Sequence, residues 1–134
     1  MRYGILQPNG MVKVVSGNEA SAHYAAKPPA TRTIGSHRVG RYAISTVFLM
    51  LDHAFTETRP QWFETIVFAL PRGGSENEID QERYTTKAEA LIGHARHVAA
   101  MRKRVADELA ATKKKEPKPT ARAPINLTKR KIQL

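Results

Sequence analysis

The chain has 134 residues, a length for one small domain, and its 22 Lys and Arg against 12 Asp and Glu give a formal charge of +10. With 41% hydrophobic and 25% charged residues a small core can be packed, which excludes a collagen-like, membrane-spanning or wholly disordered chain. Cysteine is absent, so disulfides, thiol nucleophiles and thiolate metal sites are excluded too.

The opening Met1-Arg2-Tyr3-Gly4-Ile5-Leu6 has one charge and no apolar run behind it, and does not read as a secretory leader. The longest apolar stretch, 47–51, is far short of the roughly 20 residues that cross a bilayer, so a soluble intracellular chain without membrane contact is expected. Pro8-Asn9-Gly10 lies between Ile5-Leu6 and the apolar run 11–15, the pattern of a hairpin turned at Asn-Gly. Residues 16–40 are poorly patterned; a short helical piece over 20–26 would stop at Pro28.

From residue 41 the pattern sharpens. β-branched and aromatic side chains alternate over 42–51 and recur over 62–68, predicting two strands that pair antiparallel at the centre of a sheet. Residues 71–75 read as a flexible connector, not a phosphate-cradling loop. The acidic stretch 76–82 reads as a solvated loop, with pairing to Arg102, Lys103 and Arg104 or to the basic tail as the alternative. Thr86-Lys87-Ala88-Glu89 has the capping-box form and opens a helix expected over 87–111. Its apolar stripe is read as Leu91, Ala95, Val98, Val105 and Leu109.

Charge then divides the chain. Residues 112–134 hold Lys113, Lys114, Lys115, Lys118, Arg122, Lys129, Arg130 and Lys131 against Glu116, a net of +7, which leaves +3 for residues 1–111. Pro117, Pro119 and Pro124 oppose a continuous helix there. The expectation is an α+β domain over 1–111, with a mostly antiparallel sheet of three to five strands packed by one long helix. A basic extension over 112–134 follows, ordered only when bound.

The blocks Ser45-Thr46-Val47-Phe48-Leu49 with Leu51-Asp52-His53, Phe63-Glu64-Thr65 with Val67-Phe68, and Glu82-Arg83-Tyr84 with Thr86, Glu89-Ala90 and Gly93-His94 resemble a family. It is a group of small, functionally uncharacterised proteins of bacteriophages and prophages. The resemblance spans 45–94 well and 1–105 loosely. It departs at Met50, where members commonly place glycine, at 56–61, where they place a Gly/Pro-rich run, and at Lys87, where the pattern has tryptophan. It implies a phage or prophage origin and an α+β domain, and supplies no reaction.

Two function classes follow, with a third behind them. A polybasic segment gains affinity for phosphate backbones by releasing counterions. Arg102, Lys103 and Arg104 with the eight basic residues of 112–134 therefore suggest a non-enzymatic accessory protein that binds nucleic acid or an acidic protein surface of host or virion. As an enzyme, the chain would use Asp52, His53, Glu64 and His94, carboxylates and imidazoles suited to acid–base or metal-assisted hydrolysis. Asp52 and His53 end one central strand and Glu64 opens the next, so a hairpin could gather them. The bland alternative has the carboxylates capping strand ends, His94 bonded to the sheet at the core rim and His97 solvated. A minor virion or interaction component is the third class. No cofactor or metal is called for, the protein is expected in the host cytoplasm with the virion as the alternative, and the oligomeric state is unassigned.

Overall fold

A computed structural model describes residues 1–54, 59–70 and 77–115, with the backbone alone at Lys115. Strands β1 (Tyr3–Leu6) and β2 (Val12–Val15) form the expected hairpin. Gly10 at φ 87° supplies the left-handed turn residue, and Asn9 Oδ1 accepts from the Met11 N–H at 2.9 Å. Helix α1 (Gly17–Tyr24) starts earlier than the sequence suggests because Ser16 Oγ accepts from the Glu19 N–H at 3.1 Å.

A four-stranded antiparallel sheet follows, ordered β3-β4-β5-β6: β3 is Thr33–Val39, β4 Tyr42–Phe48, β5 Phe63–Ala69 and β6 Asn77–Tyr84. The central pair is the one the alternation predicts. β3 and β6 are corrections, since 16–40 and the acidic run showed no strand pattern. Both lie at sheet edges, where strands have fewer neighbours and tolerate polar residues, so neither carries an apolar alternation.

Register sorts the two faces. Tyr42, Ile44, Thr46 and Phe48 pair with Ala69, Val67, Thr65 and Phe63, and all eight are buried. This face receives residues 87–103 of helix α2 (Lys87–Lys115). The reverse face carries Ala43, Ser45, Val47, Ile66 and Phe68, each only half-buried. Phe48, Trp62, Phe63, Tyr84 and Ala90 form an aromatic cluster, with the Phe48 ring 5.4 Å from Phe63 and 6.1 Å from Trp62.

The capping box is made: the Glu89 N–H donates to Thr86 Oγ1 at 3.1 Å, and Glu89 Oε1 accepts from the Thr86 N–H at 3.2 Å. The buried stripe, however, is Ala90, Gly93, His94, His97, Val98 and Met101, while Leu91 and Leu109 are 48% and 59% exposed. It keeps the helical spacing but is turned one residue from the apolar count. What the sheet demands of this face is a gap for an aromatic ring and partners for hydroxyls, which glycine and histidine supply. A Cβ on Gly93 would collide with the Tyr84 hydroxyl. Gly93→Ala is therefore expected to lose about 1–3 kcal/mol in urea unfolding; the gain of about 1 kcal/mol that alanine brings to an open helix site would refute this packing.

Met50 holds a left-handed φ of 69°, costing a side chain about 1–2 kcal/mol. Its side chain packs against the aromatic cluster, which offsets that cost. The described residues fall into two units, 1–103 and 104–115, and α2 contributes to both. In the second, Arg104 pairs with Glu108 at 3.5 Å and Thr112 Oγ1 donates to the Glu108 carbonyl at 3.0 Å. No helix among the described residues is long and apolar enough to cross a membrane.

Candidate functional site

The most connected polar feature lies between the sheet and α2. Starting from β3, His37 Nδ1 is 2.8 Å from His94 Nε2, and His94 Nδ1 is 2.7 Å from Thr46 Oγ1. Thr46 and Thr65 hydroxyls meet at 2.5 Å, and the Tyr84 hydroxyl lies 3.1 Å from Thr65 Oγ1 and 3.0 Å from Glu82 Oε1. The same carboxylate oxygen accepts from Arg96 at 2.8 Å and His97 Nε2 at 2.9 Å.

Proton counting orients this chain. An ionised carboxylate only accepts, so Tyr84 gives its single proton to Glu82 and accepts from Thr65. Thr65 then accepts from Thr46, and Thr46 from the N–H on His94 Nδ1. That leaves a lone pair on His94 Nε2 facing the N–H of His37 Nδ1. Every proton points from the exposed His37 toward Glu82, and His94 is held neutral in one tautomer.

The titration shifts agree with that orientation. Burial, then the charges of His37 and His97, lower the His94 pKa from its usual 6.5. Burial raises Glu82, but bonds from Arg96, His97 and Tyr84 outweigh it and hold the carboxyl below 4.5. Burial pushes the Tyr84 phenol upward. For His94 the unfolded chain takes a proton that the fold withholds, so stability falls as pH drops below about 6.5 toward the lower folded value. The Glu82 contribution is full above 4.5 and is lost as pH falls through its depressed folded value. Melting temperature between about pH 8 and 3 is thus expected to fall in two stages, with His94→Gln removing part of the upper one.

The four residues singled out for acid–base chemistry are not brought together. Asp52 Oδ1 accepts from the Ala54 and Gln61 N–H groups, each at 2.8 Å, and its other oxygen pairs with Arg2 at 3.0 Å, bracing the segment between β4 and β5. Burial raises its pKa, but those two N–H groups and Arg2 bring it below the usual value of 3.8. His53 Nδ1 donates to the Leu51 carbonyl at 2.9 Å. Glu64 follows Phe63 onto the reverse face, where it takes Arg83 at 2.9 Å and Gln81. His94 sits on the helix-covered face, bonded to the sheet as the bland alternative has it. His97, expected in solvent, is buried. The acidic run pairs, through Glu82 and Asp80, with Arg96 and His97. Among the described residues no group of three or more His, Asp and Glu side chains is gathered for a metal ion.

Sequence reading missed His37, Thr46, Thr65, Glu82 and Tyr84. Its available signal was a threonine at a core position of each central strand. An open cleft of about 800 Å³ lies where Glu82 meets solvent, with Arg59, Arg83 and Arg96 in its wall. Each arginine is tied to a carboxylate: Arg59 to Glu89 at 2.9 Å, Arg83 to Glu64 and Arg96 to Glu82.

On α2, Arg102, Lys103, Arg104, Lys113 and Lys114 are exposed. Lys118, Arg122, Lys129, Arg130 and Lys131 lie outside the described residues, as do the side chain of Lys115 and the connector 71–75. No family model, curated protein or solved structure matches the chain.

Proposed function

We propose that this chain is a small, non-enzymatic accessory protein of phage type that binds an anionic partner, foremost a nucleic-acid backbone, through its basic C-terminal segment. The observation that carries the reading is the concentration of charge: +7 within residues 112–134 against +3 in the preceding 111. Exposed Arg102, Lys103, Arg104, Lys113 and Lys114 on α2 continue the same sign. Lysines and arginines on such a segment neutralise phosphates and release counterions without reading bases. The inward polar chain supports a structural role for the folded part, since its protons and hydroxyls are committed to holding helix and sheet together.

Fluorescence anisotropy with a labelled non-specific DNA duplex, a single-stranded RNA and polyglutamate tests this. Binding to both nucleic acids with little base preference, loosened by salt, is expected. Tight binding to polyglutamate alone would move the partner to an acidic protein surface, and binding to none of the three would end the proposal.

A further inference from the structure

The sheet face opposite α2 presents three cross-strand rows. One runs Arg38, Ala43, Phe68, Glu78; the next Ser36, Ser45, Ile66, Gln81; the third ends Val47, Glu64, Arg83. The centre is small or apolar and half-exposed, a cation stands at one edge of the first row, and a carboxylate stands at the other. Arg38 and Glu78 are both exposed.

We infer that this face pairs with the same face of a second copy of the chain, about a two-fold axis parallel to the strands. That operator lays β3 over the partner's β6 and β4 over its β5, the aligned arrangement of sheet sandwiches. Each row then meets its own reverse. Arg38 faces the second copy's Glu78 and Glu78 faces its Arg38, so two opposite-charge pairs close the ends. Phe68 meets Ala43 and Ile66 meets Ser45, a large side chain against a small one each time. In the third row Val47 meets the Glu64 carboxylate, which Arg83 already pairs; a two-fold across the strands would instead set the larger Phe68 there and lay β3 over β3, losing the Arg38–Glu78 pairing. Four strands of about seven residues cover roughly 450 Å² in plan, so the dimer is expected to be weak and dependent on concentration.

Sedimentation equilibrium of the full chain, free of nucleic acid, from about 1 μM to about 1 mM tests the pairing. Apparent mass should climb from 15.0 kDa toward twice that value. Arg38→Glu and Glu78→Lys should each weaken association at least about tenfold through like-charge contacts, and the double variant should restore most of it. Ser45→Lys, at the centre of the face, should abolish it, with circular dichroism confirming the fold. A mass fixed at the monomer throughout, a dimer indifferent to Ser45→Lys, or a charge swap that does not recover would each overturn the inference. Because the contact uses none of the C-terminal basic residues, its failure would leave the anionic-partner reading untouched.

Discussion

Phe48→Ala is expected to cost about 3–5 kcal/mol in chemical unfolding. Phe48 is fully buried, touches the rings of Tyr24, Trp62 and Phe63, and joins the sheet to the covering elements. Its removal leaves a void bordered by three other aromatic side chains, which cannot close around it without leaving their own contacts. Phe68 looks equivalent in sequence but lies on the reverse, half-exposed face, and Phe68→Ala should cost well under half as much. Equal losses at the two positions would mean that the faces are wrongly assigned.

Thr65→Val should cost about 1–3 kcal/mol although shape is nearly conserved, because it strips the acceptor from Thr46 and the donor from Tyr84 inside a buried chain. A second change, Thr46→Val, then removes a hydroxyl that has already lost its acceptor and keeps only the His94 N–H, so the double variant should lose less than the sum of the singles. Ser36→Ala, on an exposed reverse-face position, should stay within about 0.5 kcal/mol. Urea unfolding of the four variants decides it; strict additivity would show that the hydroxyls act separately.

Those two results bear on what the sequence could and could not disclose. β4 and β5 were legible because strands covered by neighbours on both edges carry β-branched and aromatic alternation, and α2 was legible because Thr86 and Glu89 make a reciprocal cap. β3 and β6 were not, since an edge strand such as Asn77–Tyr84 can be largely polar and still pair. The helix face was misread by one residue because hydrophobicity counting favours Leu91 over Gly93 and His94. The candidate site failed on extent and parity: β4 stops at Phe48, so Asp52 and His53 lie beyond the strand they were expected to end, and alternation sends Glu64 behind the sheet while Thr65 shares the face that carries Thr46 and His94. His37 and Glu82 enter the polar chain only once the order of four strands is known, which no local pattern states.

The central claim is that the C-terminal basic residues are the binding element, and the dependence of nucleic-acid affinity on salt tests it most directly. The full chain is to be compared with a full-length variant in which Lys113, Lys114, Lys115, Lys118, Arg122, Lys129, Arg130 and Lys131 become Gln. Each phosphate contact on a duplex contributes about −0.9 to the slope of log affinity against log salt. The parent chain should give a slope of several units, and the variant should lose most of that slope together with most of its affinity at low salt. Unchanged slope and affinity in the variant would contradict the account and place binding elsewhere on the chain.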